Sequence, residues 1–152
     1  MALKKDTKAP EIRLKSTSGK EFSLKDDMAE TSCIIYFYPK NFTPGCTEEA
    51  CSFRDAFAEF RNLEIPVFGI SRDSIKSHLK FKEAHNLPFE LLSDTSGKVC
   101  KAYDALVPVI GIPKRVTYLL DREHKIVASY QDMFGARKHI DQMIKKSKEA
   151  NN

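Results

Sequence analysis

The sequence has no run of about 18 consecutive apolar residues, so no segment predicts a membrane-spanning helix. Its first residues, Met-Ala-Leu-Lys-Lys-Asp, lack the apolar core of a secretory leader, and the expected location is the cytoplasm. No internal repeat, low-complexity stretch or linker breaks the 152 residues. One domain over 1–152 is therefore expected, long enough to bury a core without metal or disulfide staples. Excess basic charge is small, 25 Lys and Arg against 21 Asp and Glu, and part of it lies at Lys145, Lys146 and Lys148. Without aromatic interleaving, a solvated helix end explains that tail better than a nucleic-acid surface.

Also missing is any C-x-x-C pair, although four cysteines are present. Four cysteines in a cytosolic chain point to redox or metal chemistry before structural disulfides. A dithiol oxidoreductase would need C-x-x-C at a helix start, and here Thr43 stands where the first of those cysteines would be. The C-x4-C spacing of Cys46 and Cys51 begins one ferredoxin pattern, but the following C-x2-C is absent. The histidines, His78, His85, His124 and His139, are scattered over apparent surface segments, where a solvated role is expected. A non-enzymatic interaction domain on the same fold is the remaining rival.

What is present is an alternation of strands and helices. Residues 11–14 and 21–24 flank Ser-Thr-Ser-Gly, a hairpin signal. Cys33 to Tyr38 is a continuous β-branched and aromatic run, which predicts a strand buried on both faces. Thr43 is a good N-cap and Pro44 a good first helical residue. Cys46, Ala50, Phe53, Phe57 and Phe60 then follow helical spacing to about Asn62. Ile65 to Ile70 predicts a strand and Ser74 to Ala84 a helix. A short strand at 89–92 and a short helix at 98–103 are weaker signals. Val116 to Leu120 and Ile126 to Tyr130 predict a hairpin around Asp121-Arg122-Glu123-His124, and Lys138 to Lys146 a closing helix. The order implies an α/β architecture: a central mixed β-sheet flanked by helices, in the order of the thioredoxin-like fold with an N-terminal β-hairpin.

The chemistry concentrates at Cys46. It falls in the first turn of a helix, where unpaired amides present roughly half a positive charge and favour a thiolate. Thiolates are the nucleophilic form. A thiol of pKa about 6 is roughly 90% ionised at pH 7, against roughly 3% for one of about 8.5, a gain of about 30-fold. Fast attack on an oxidant such as a peroxide would need more, from alignment of that oxidant and stabilisation of its leaving oxygen. The Thr43 hydroxyl, the Gly45 and Cys46 amides and the fork of Arg115 are candidates, with Pro39 narrowing the pocket. Cys51 lies five residues on. On an intact helix the two Cα atoms are about 8.6 Å apart, beyond the roughly 7 Å limit for a disulfide. A redox cycle between them requires the first turns to unwind, which Gly45 eases. The sulfenic acid formed on Cys46 would then condense with Cys51.

The stretch Tyr-Phe-Tyr-Pro-Lys-x-Phe-Thr-Pro-Gly-Cys-Thr-x-Glu-Ala-Cys-x-Phe-Arg-Asp, from Tyr36 to Asp55, resembles the peroxiredoxins. More narrowly it resembles the bacterioferritin comigratory protein or peroxiredoxin Q subfamily. Ala9-Pro10, Phe68-Gly69-Ile70-Ser71, Leu92-Ser93-Asp94 and Arg115-Val116-Thr117-Tyr118 carry the likeness through nearly the whole chain. The resemblance implies reduction of hydrogen peroxide and organic hydroperoxides without a cofactor or metal. It implies Cys46 as the peroxidatic and Cys51 as the resolving cysteine, Thr43 and Arg115 as activating groups, and Glu49 as a carboxyl that positions the arginine. It further implies thioredoxin as reductant and a monomer. Cys33 and Cys100 are expected to be buried and structural.

Overall fold

The computed structural model describes residues 2–131 and 136–150, with the backbone alone at 136–139 and 150. The expectation for the His139 side chain lies outside this description. Seven strands, β1 (Arg13–Ser16), β2 (Glu21–Ser23), β3 (Cys33–Phe37), β4 (Val67–Ser71), β5 (Glu90–Ser93), β6 (Val116–Leu120) and β7 (Ile126–Gln131), form one mixed sheet in the order β2-β1-β5-β4-β3-β6-β7. Six helices accompany them among the described residues: α1 (Leu24–Asp27), α2 (Pro44–Asp55), α3 (Phe57–Asn62), α4 (Ile75–His85), α5 (Lys98–Ala102) and α6 (Ala136–Ala150).

The centre of the sheet is β3, buried at every position. It pairs in parallel with β4 and antiparallel with β6. Because side chains alternate across a strand, Ile34 and Tyr36 enter one core layer and Cys33, Ile35 and Phe37 the other. The first layer holds Ala50 and Phe53 of α2, Phe60 of α3, Phe81 of α4 and Ile140 and Met143 of α6. The second holds Ile12, Phe22, Leu24 of α1, Cys100 of α5 and Tyr103. Each fully buried Ile or Phe is worth about 1.5–3 kcal/mol relative to exposure, so both faces must be covered for the sheet to persist. The N-terminal hairpin is not an appendage. β1 pairs antiparallel with β5 and so extends the sheet.

Two departures from the sequence reading have local causes. Residue 24 is helical rather than the end of a strand, because Ser23 caps α1 by accepting from the Asp26 amide at 3.1 Å. The single helix expected from Pro44 to Asn62 is broken at Ala56, which takes φ −91° and ψ 1°. The break carries Ala56 fully into the core between Phe53 and Phe60 and leaves Phe57 only half-buried.

Candidate active site

The loop after β3 delivers α2, and the antiparallel register of β6 delivers its counterpart. Val116, the first residue of β6, pairs with Phe37, the last of β3. Arg115 therefore stands beside the exit of β3, where α2 begins. Its Nη2 donates to Cys46 Sγ at 3.3 Å and its Nη1 to Glu49 Oε1 at 3.3 Å. Both acceptors lie on α2, three residues apart and on one face. The guanidinium fork thus bridges a sulfur and a carboxyl with two parallel donors.

Cys46 and Glu49 are each only 1% exposed. Burial opposes charge on either group. For Glu49 burial wins over the Arg115 guanidinium and pushes the carboxyl up to about 8, so near neutrality it is mostly protonated. A neutral carboxyl accepts from Nη1 without cancelling the charge of Arg115, which stays available to the sulfur. A thiolate at 3.3 Å from that charge gains about 5 kcal/mol at an effective dielectric of about 20, before the desolvation cost is subtracted. Glu49 Oε2 is buried with no hydrogen-bond partner among the described residues.

Gly45 gives the fork its space. A Cβ at residue 45 would lie 3.0 Å from Arg115 Nη2. Thr43 occupies the N-cap position with extended backbone but makes no side-chain cap. Its hydroxyl instead donates to the Lys40 carbonyl at 2.8 Å. The first-turn amides of α2 are thus left for an anionic ligand, and the hydroxyl oxygen keeps its lone pairs free to accept. Pro39 borders a cleft of about 530 Å³ with Lys40, Arg72, Asp73, Ile112 and others, a cleft that Cys46 does not line.

Cys51 lies on the same unbroken helix as Cys46, and all four cysteines are free thiols. Its sulfur stands 3.9 Å from Nδ1 of His85. No hydrogen bond of Thr43, Pro39 or Cys51 reaches Cys46 among the described residues. Cys33 and Cys100 are buried, and burial pushes the Cys33 thiol up to about 12 and the Cys100 thiol higher still.

The surface reading of the histidines does not hold for His78 and His124. His78 is fully buried, bonded to Asn41 Nδ2 at 3.0 Å and Tyr38 Oη at 3.3 Å, and burial lowers it to about 4. His124 is buried against the Met28 carbonyl at 2.7 Å. His85 is half-buried at the end of α4. Polar neighbours on their own segments, Ser77 beside His78 and Glu123 and Lys125 beside His124, hide these two in the sequence. Only the packing of α4 under the loop before α2, and of the β6–β7 turn against residue 28, reveals them.

The chain matches the AhpC/TSA family over residues 6–129. It is 42% identical over 134 residues to a putative peroxiredoxin, Bcp, of Coxiella burnetii, covering 84% of this chain and 88% of that one. Among solved structures, the Mycobacterium tuberculosis peroxidoxin BcpB superposes with a TM-score of 0.90 at 29% identity over 97% of each chain. The bacterioferritin comigratory protein of Xanthomonas campestris, whose structure was examined for alkyl peroxide reduction, gives 0.84 at 29% identity over 93% of this chain and 92% of that one. With a cysteine, an arginine and a carboxyl assembled at a helix start on a thioredoxin-like sheet, the chain belongs to the AhpC/TSA family and is a peroxiredoxin, a thiol-dependent peroxidase.

Proposed function

We propose that Cys46 is the peroxidatic nucleophile and Cys51 the resolving thiol, and that the substrates are hydrogen peroxide and organic hydroperoxides. The observation that carries this reading is the Arg115 guanidinium at 3.3 Å from Cys46 Sγ, in the first turn of α2. The thiolate attacks the distal peroxide oxygen, the O–O bond breaks, and the departing oxygen takes a proton and leaves as water or an alcohol. Cys46 is left as a sulfenic acid. Arg115 holds the sulfur and developing oxyanion together, the first-turn amides and the Thr43 hydroxyl align the peroxide, and Pro39 borders the approach. Glu49 positions the arginine without neutralising it. Reduction of organic hydroperoxides is supported by the alkyl peroxide activity studied in the Xanthomonas relative.

In the second step α2 unwinds at its start, Cys51 sulfur bonds to Cys46 sulfur, and water leaves. A dithiol protein of the thioredoxin kind restores both thiols. A cytoplasmic location belongs to the same reading. One domain over 1–152 acting as a monomer completes the reading. A peroxidase assay coupled to thioredoxin and its reductase tests it, together with mass spectrometry of the oxidised chain. Turnover with a Cys46–Cys51 bond is expected. A Cys46–Cys100 bond would remove Cys51 from the mechanism.

A further inference from the structure

The resolving step needs a proton to leave Cys51 and a proton to reach the departing hydroxyl. Nothing in the Cys46 cluster serves Cys51, which lies on another part of α2. The group in contact with it is His85, the last residue of α4, with Nδ1 at 3.9 Å from Cys51 Sγ. This imidazole is held from two sides. Its ring meets Phe81 edge-on at 5.0 Å, and its backbone carbonyl accepts from Arg54 Nη1 at 2.8 Å. Arg54 follows Cys51 by three residues on the same helix. One turn of α2 therefore grips the end of α4 through a guanidinium and presents a thiol to its imidazole.

We infer that His85 is the general base of the resolving step, acting on Cys51 while the second half of α2 stays docked on α4. The inference rests on Cys51 being the resolving cysteine. The imidazole takes the Cys51 proton as the sulfur attacks the Cys46 sulfenic acid. The S–O bond breaks, and the imidazolium returns the proton to the leaving hydroxide as water. No outside oxidant or reductant enters: a thiol and a sulfenic acid become a disulfide and water. The Arg54 clamp confines unwinding to the turns before Cys51, so the peroxidatic sulfur travels and the resolving sulfur waits. His85 brings to this step a ring nitrogen within reach of the thiol, and imidazole is the side chain most often used for such a proton transfer.

The ionisable groups around the pair are few. On α2, Arg54 sits on the His85 carbonyl and pairs with Asp55 at 3.1 Å. On α4, Lys82 is held by Glu90 of β5 at 2.7 Å. On β3, the buried Tyr36 phenol feels both Cys46 and Cys51. Among the described residues none of these groups hydrogen-bonds to the imidazole ring or the Cys51 sulfur.

The test follows disulfide formation after a single pulse of hydrogen peroxide, by stopped flow, in wild type and His85→Gln between pH 6 and 9.5. In the variant at pH 7, disulfide formation slows at least about tenfold and sulfenic acid accumulates. The variant's deficit narrows as pH rises, because hydroxide then removes the thiol proton without a protein base. Imidazole in the buffer restores part of the rate to His85→Ala. A merely structural role would leave a deficit at every pH and no rescue, and that result, or an unchanged profile, overturns the inference. The wild-type disulfide separates the two readings. A Cys46–Cys51 bond with an unaltered His85→Gln profile removes only His85, whereas a bond to Cys100 removes the resolving assignment itself.

Discussion

The two faces of the sheet each bury cysteines, and the contrast between them shows what burial alone does to a thiol. Cys33 and Cys100 lie in the layer with Ile35, Phe37 and Tyr103, and both are 0% exposed. Desolvation pushes both thiols up, and the Asp94 carboxylate adds to the effect at Cys100. Cys46, in the opposite layer, is just as hidden at 1% exposure. What differs is company: a guanidinium at 3.3 Å and the open amides of a helix start, against an apolar strand and an acidic neighbour. Burial is common to all three, so it is the cationic partner that singles out Cys46 as the sulfur proposed to react.

That contrast is broken most directly by removing each sulfur in turn. Cys46→Ser should abolish peroxide turnover, while Cys33→Ala and Cys100→Ala should leave it within about twofold of wild type in the coupled assay, since their thiols stay protonated. Turnover surviving in Cys46→Ser would put the chemistry elsewhere. Cys51→Ser should consume about one equivalent of peroxide and then stop, with sulfenic acid trapped on Cys46 and seen by mass spectrometry.

Moving the charge rather than the sulfur should cost less. Arg115→Lys keeps the cation but loses the fork, so it cannot serve Cys46 and Glu49 together. By analogy with the loss of one oxyanion donor, kcat/KM for hydrogen peroxide should drop about 10²-fold. Gly45→Ala should cost about tenfold. The new Cβ would crowd Arg115 Nη2 at 3.0 Å and push the fork off the sulfur, although alanine itself favours the helix by about 1 kcal/mol. A variant that melts higher but reacts more slowly with peroxide would distinguish crowding from unfolding.

Strongly patterned elements were legible in the sequence, and the polar contacts between elements were not. The run Val116–Leu120 was read to the residue, because a continuous apolar segment followed by Asp-Arg-Glu-His admits few other assignments. Arg115 is a candidate from the sequence, and the antiparallel register of β6 on β3, which the structure supplies, brings it to Cys46. The break at Ala56 was invisible: Phe53, Phe57 and Phe60 keep helical period through it, and alanine gives no punctuation. His78 and His124 escape a sequence reading for a related reason. Each has a polar neighbour on its own segment, and each is buried by another element, which no local pattern records. Thr43 was placed rightly at the N-cap, yet its hydroxyl turns back to Lys40 instead of capping, a choice set by the loop's path.

The smallest effect on activity near neutrality should come from Glu49→Gln. The Glu49 carboxyl stands at about 8 in the folded chain because burial outweighs Arg115, against 4.5 for an unburied glutamate. Between those values the folded state holds a proton that the unfolded state has released, so stability must fall as pH rises from about 4.5 through about 8. Gln never ionises. Its melting temperature should match wild type near pH 4.5 and exceed it increasingly up to about pH 8, after which the gap is constant. Activity gives the second reading. Near pH 7, where Glu49 is mostly neutral, the amide oxygen of Gln can accept from Arg115 in its place, and kcat/KM should change by less than about threefold. Above pH 8 the wild-type carboxylate draws the guanidinium's charge away from Cys46 and wild-type activity should decline, while the variant's should not. If Glu49→Gln instead loses activity at pH 7 and gains no alkaline stability, the carboxyl works as an anion. Arg115 would then be shared between two negative groups from the start.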